Sequence, residues 1–186
     1  QVPRPLARLM LPNLTEPPLV LASSDFGGLI TLTGYAFGDA SGSGPVNDAS
    51  VPAGDLVWAR LRFRPEDAVQ EDLKASVIIA DSAGHVVGQI DKLLMNNIYH
   101  RGTTQWEPGT EVDVYFLVPV APATAPGSYR LDVAMYGASS QVRLPTQSGD
   151  PSRAMTLGTI AVRPDLVPPS EDELSMTQVL NRAASE

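Results

Sequence analysis

From residue 28 onward, apolar and polar positions alternate with a period of two, the spacing of strands with one buried face. Ile30 and Leu32 set against Thr31 and Thr33 predict a first strand over 29–35. Residues 36–55 form a Gly/Ser/Asp/Pro-rich loop that ends in the turn signal Pro52-Ala53-Gly54-Asp55. The cleanest alternation follows, with Val57, Ala59, Leu61 and Phe63 on one face and Trp58, Arg60, Arg62 and Arg64 on the other. The charged stretch 65–74 predicts one or two helical turns. Ser76 to Ala80 is a β-branched apolar run suited to a central strand, and Asp81-Ser82-Ala83-Gly84 turns it into a hairpin over 85–90.

Further along, Val112, Val114, Phe116 and Val118 alternate with Asp113 and Tyr115. After Pro126-Gly127, Tyr129, Leu131, Val133 and Met135 alternate with Arg130 and Asp132. A short strand near Val142 and a last one over 157–162 bring the count to seven or eight. Strands with turns about every dozen residues predict an all-β, antiparallel β-sandwich over 24–163. Its expected core holds Val57, Leu61, Phe63, Val77, Ile79, Val114, Phe116, Tyr129, Leu131 and Val133.

Both ends differ in character. Residues 1–23 are apolar but broken by Pro3, Pro5, Pro12, Pro17 and Pro18, which predicts an extended arm. The chain opens on Gln1 and so reads as a processed or excised product, and Asn13-Leu14-Thr15 is a chance-level glycosylation sequon. In the tail 164–186, Ser170 and Glu173 have capping-box spacing ahead of Met176, Leu180 and Ala183 or Ala184, predicting a short C-terminal helix.

Composition sharpens this picture. The 186 residues include 15 glycines and 17 prolines, above the ~12% of an average chain, which favours turns over long helices. The net charge of −8 argues against phosphate-driven nucleic-acid binding. Without cysteine there is no disulfide, thiolate metal site or cysteine nucleophile. No apolar run is long enough for a transmembrane helix.

Motif chemistry is sparse. Lys74 and Lys92 do not follow the glycines of a phosphate loop, and neither a G-x-S-x-G elbow nor an H-E-x-x-H pair occurs. His85 and His100 are the two histidines, and His85 sits where a hairpin turn wants a polar residue anyway. Asp25, Asp39, Asp48, Asp55 and Asp81 fall at expected loops, where turn chemistry outweighs calcium ligation. No catalytic residue, metal ligand or cofactor is expected.

Two surfaces invite a binding reading. Loop 93–109 carries Asn96, Asn97, Tyr99, His100, Arg101, Gln105 and Trp106. Aromatic faces beside amide and guanidinium donors suit a glycan, with Asn96, Asn97, Tyr99, Arg101 and Trp106 as contacts. The weightier reading of Trp106 is a plug at one end of the sandwich. Likewise Arg60, Arg62 and Arg64 on one strand face suit an anionic partner, but a solvated face with cross-strand acids explains them first.

Order and spacing of short motifs add a resemblance. These run Phe26-Gly27, Gly34-Tyr35, Ala53-Gly54-Asp55, Ile79-Ala80-Asp81 with Gly84, Val86-Val87-Gly88-Gln89 with Asp91, and Trp106 with Pro108-Gly109 and Val112. Next come Pro126-Gly127-Ser128-Tyr129-Arg130-Leu131 with Val133 and Tyr136, Arg143-Leu144-Pro145, and Leu157-Gly158 with Ile160 and Val162. Over 26–163 the chain resembles the immunoglobulin-like β-sandwich domain appended to bacterial membrane glycosyltransferases of the dolichyl-phosphate-mannose type. The resemblance implies a non-catalytic, extracytoplasmic accessory domain with a glycan or cell-envelope partner, tethered to a membrane-spanning protein. It carries over no catalytic residue, and loop 36–52 is longer than the family pattern.

Overall fold

A computed structural model describes residues 17–40, 45–96, 100–146 and 154–164. Nine strands form two packed sheets: β1 (Val20–Phe26), β2 (Ile30–Asp39), β3 (Ala49–Pro52), β4 (Leu56–Pro65), β5 (Leu73–Ala80), β6 (Val86–Leu93), β7 (Val112–Pro119), β8 (Gly127–Gly137) and β9 (Met155–Arg163). One sheet has the order β1-β2-β4-β7 and the other β3-β9-β8-β5-β6. All pairings are antiparallel except β3–β9. The sandwich predicted from periodicity is therefore present, with nine strands rather than seven or eight.

The alternating residues point inward as expected. All ten expected core residues are buried, between sheets whose inner faces meet through Leu61, Phe63 and Val114 on one side and Val77, Ile79 and Leu131 on the other. Tyr129 buries its ring and donates its hydroxyl to the carbonyl of Ala125 at 2.7 Å. That return bond at a strand start is the tyrosine corner of immunoglobulin-like sandwiches.

Four local expectations are corrected. Residues 20–23 of the expected arm are strand, because β1 pairs with β2 from Val20↔Tyr35 onward. The first predicted strand does not stop at residue 35. A β-bulge between Leu32 and Gly34 swaps the inward parity, so Ile30 and Leu32 face the core before it and Phe37 after it. The stretch 65–74 forms no helical turn; it is irregular up to β5, and its acids cap neighbouring loops. Near Val142 there is no strand, only the isolated bridge Tyr136↔Arg143, and Val142 itself is exposed. The predicted terminal helix, the sequon and residues 1–16 of the arm lie outside the described residues.

One side of the sandwich is stitched shut. Lys92 of β6 reaches β7 to donate to the carbonyl of Tyr115 at 3.0 Å, and Ala121 N–H donates to Val87 O at 2.7 Å. Partial burial pushes the Lys92 ammonium below its ordinary pKa. Gly88 faces the carbonyl oxygen of Pro119 with no room for a Cβ.

Candidate functional site

The loop between β6 and β7 folds back tightly on itself. Asn96 N–H donates to Arg101 O at 2.9 Å and His100 N–H to Asn96 O at 2.8 Å. A bridge pairs Met95 with Gly102, and one 3-10 turn follows over Thr103–Gln105. The turn is held from below. Thr104 donates through both N–H (3.0 Å) and hydroxyl (2.8 Å) to Asp72 Oδ1, and Leu73 N–H donates to Thr103 Oγ1 at 2.8 Å. Glu71 anchors the adjacent turn in the same way, accepting from Ser139 and Ser140 N–H and from the Ser140 hydroxyl. The Ser140 hydroxyl bond, foremost, holds the Glu71 carboxyl below the usual carboxylate range.

Trp106 closes this end of the core. It is 6% exposed, packs among the core residues, and its Nε1–H donates to Arg101 O at 2.9 Å. Its broad face is therefore not offered to solvent. Trp106 also lines a pocket of about 150 Å³ with Asn96, Arg101, Gln105, Glu107, Thr110 and Val112. A guanidinium, a carboxylate, two amides and a hydroxyl thus surround one small opening. Of the glycan contacts expected from sequence, the structure brings Asn96, Arg101 and Trp106 together; Asn97 and Tyr99 lie outside the described residues. Gln105 joins them, and Glu107 and Thr110 are pocket residues that the sequence reading did not single out. Their position just after Trp106 was the available signal.

His100 is exposed on the loop with a positive φ of 51°. His85 stands at the β5–β6 turn with Nδ1 2.9 Å from Asp81 Oδ2. Asp81 also accepts from Ala83 and His85 N–H, and the His85 bonds hold its carboxyl low. Asp25 and Asp55 accept from the turn amides of Gly28 and Leu56. Three of the five loop aspartates thus spend their oxygens on local turn amides. Asp39 is instead buried at the end of β2.

The arginine face differs from a solvated one. Arg60 is only 2% exposed and Trp58 only 4%. Asp113 supplies the cross-strand acid to both Arg60 and Arg62, while Arg64 pairs with Glu66. A second, larger cavity of about 380 Å³ opens there between Pro17, Leu19, Leu21, Thr33, Arg62 and Glu111.

Among the described residues no helix is long and apolar enough to cross a membrane. No protein-family model matches the chain, and comparison with characterised proteins finds no match. Among solved structures the chain is similar to the C-terminal domain of wzt, at 11% identity and TM-score 0.51, over 81% of this chain and 84% of that one. It also aligns with a β-glucuronidase from glycoside hydrolase family 2 at 12% identity and TM-score 0.40, over 78% of this chain and 11% of that one. The ApaA protein of Bordetella pertussis aligns at 10% identity and TM-score 0.34, over 80% of this chain and all of that one. The first likeness shows a shared all-β sandwich, and the other two are too loose to carry an argument.

Proposed function

We propose that this chain is a non-catalytic, extracytoplasmic accessory domain of a membrane glycosyltransferase-like protein, and that its rim pocket takes a glycan. The observation that carries the binding reading is the pocket beside Trp106, where Asn96, Arg101, Gln105, Glu107 and Thr110 converge. A few donors and acceptors set around a mostly apolar lining, to which Trp106 and Val112 contribute, match a ligand whose hydroxyls give and accept hydrogen bonds and whose C–H groups are apolar. At about 150 Å³ the pocket is smaller than the ~300–1,000 Å³ of drug-sized sites, which limits it to one terminal sugar unit. Because Trp106 is 6% exposed, selectivity would come from hydrogen bonds rather than ring stacking.

The accessory reading rests on the motif order over 26–163 and on the tyrosine corner at Tyr129. An open pocket of this size implies weak binding, Kd of ~0.1–1 mM or about −4 to −5.5 kcal/mol. A glycan array followed by titration tests this. A hit weakened about tenfold by Arg101→Ala or Gln105→Ala, each removing one hydrogen-bonding group, supports the pocket. Binding that survives the double variant, or no glycan bound at all, refutes it.

A further inference from the structure

The outer face of the β3-β9-β8-β5-β6 sheet carries an aromatic platform between two cations. Tyr136 lies opposite Lys74 in the β5–β8 ladder, and directly opposed residues share a face. On its other side Tyr136 bridges to Arg143. The next residue, Leu144, bonds Met135 O and packs on the core, so Arg143 projects outward. Lys74, Tyr136 and Arg143 thus form one row across the sheet, ~10 Å from end to end.

Tyr136 does not stand upright in that row. Its hydroxyl donates to Asp91 of β6, and β5 runs between β8 and β6, so the ring spans β5. On that path Ser76, opposite Asp91, is 4% exposed although it points away from the core. Burial first, then the charge and hydrogen bond of Asp91, push the Tyr136 hydroxyl up to about 12, so it remains a donor at neutral pH. The residue is half-buried, one ring face on the sheet and the other outward, with Lys74 Nζ 6.0 Å from the ring centroid. This is the open aromatic face that Trp106 does not provide.

The cations of the row lack acid partners. Arg60, Arg62, Arg64 and Arg130 each pair with a carboxylate. Lys74 and Arg143 make no ion pair among the described residues, and nearby Asp91 is engaged by the Tyr136 hydroxyl and by the Gln89 amide at 3.2 Å. Arg143 Nε–H is covered without an acceptor, so the side chain forfeits a hydrogen bond that turning toward an anion would restore. We propose that this face binds an acidic sugar, its ring against Tyr136 and its carboxylate or phosphate between Lys74 and Arg143.

The chemistry matches at both ends of such a ligand. Sugar C–H groups suit an aromatic face, and an arginine fork beside a lysine point charge suits a carboxylate or phosphate. The net charge of −8 disfavours an anionic bilayer as the occupant. None of these residues lines the rim pocket, so the two sites stand or fall separately.

The test titrates the full chain with methyl galacturonide, galactose phosphate, methyl galactoside, inorganic phosphate and phosphatidylglycerol vesicles, read by nuclear magnetic resonance. With either acidic sugar, the Tyr136 ring signals and the Lys74 and Arg143 amides should shift along one saturating curve. Methyl galactoside, without the anion, and inorganic phosphate, without the ring, should each bind about tenfold more weakly. Combining Lys74→Gln with Arg143→Gln should erase the preference for the charged sugar and leave the melting temperature nearly unchanged. Tyr136→Leu keeps both cations and should weaken both sugars while sparing phosphate. Equal binding of galacturonide and galactoside, or a preference that survives the double variant, overturns the proposal. So do shifts confined to Trp106 and Gln105, binding to the vesicles alone, or no shift at millimolar sugar.

Discussion

Asp113 stands directly opposite Arg62 in the β4–β7 ladder, yet its shortest ion pair runs diagonally to Arg60, at 2.6 Å. Arg62 completes a forked contact, with Nε 2.9 Å from Oδ1 and one terminal nitrogen 3.0 Å from Oδ2. One carboxylate therefore serves two guanidiniums, of which Arg60 is 2% exposed and also lies 5.9 Å from the Tyr115 ring centroid. Desolvation pushes the Asp113 carboxyl up, but the hydrogen bonds and charges of Arg62 and Arg60 outweigh it and hold it low.

Asp113→Asn keeps the shape but removes the counter-charge of a buried arginine. It should destabilise the domain by about 3 kcal/mol, at the lower end for a buried pair because Asp113 is itself one-quarter exposed. Chemical denaturation at pH 7 checks the magnitude. The pH dependence has a definite sign. A carboxylate whose folded pKa is depressed contributes stability above its unfolded value of ~3.9, lost as pH falls through the folded value. Wild type should lose stability in that acid window, and the variant should lose less.

Gly88→Ala should open the stitched side of the sandwich. A Cβ there meets the backbone carbonyl of Pro119, which cannot rotate away as a side chain would. The expected cost is about 1–3 kcal/mol, with faster amide exchange at Ala121, whose N–H bonds Val87 O. Unchanged stability would mean that β6 and β7 do not meet this closely.

Trp106→Ala should lose about 3–5 kcal/mol, since it removes a core ring and the bond to Arg101 O. By contrast Gln105→Ala, at an exposed position, should leave the melting temperature nearly unchanged. Thermal melts of the two variants separate the residue that holds the loop from one that only faces the pocket.

The strands most legible in the sequence are those with unbroken alternation: β4, β7 and β8 each bury every second residue from Val57, Val112 and Tyr129 onward. Where parity breaks, legibility fails. The bulge after Leu32 makes Ala36 and Gly38 look like loop residues, although with Gly34 they are the smooth outer lane of a ten-residue strand. β3 has only four residues and takes its register from β9, more than a hundred positions away, so no local pattern announces it. Glu71 and Asp72 read as members of a helical charge run, because their partners Ser140 and Thr104 are distant in sequence. The burial of Arg60 and Trp58 was equally hidden, since alternation placed them on a face expected to be wet.

The central claim, that the opening beside Trp106 is a ligand site, is tested most directly by the indole itself. In a two-dimensional ¹H–¹⁵N titration of the full chain with an array-selected glycan, the Trp106 Nε1–H signal should move. The side-chain amides of Asn96 and Gln105 should move with it, along one saturating curve, while the Trp58 indole stays fixed. Saturable shifts elsewhere with these three signals unmoved, or no shift at millimolar glycan, would contradict the claim.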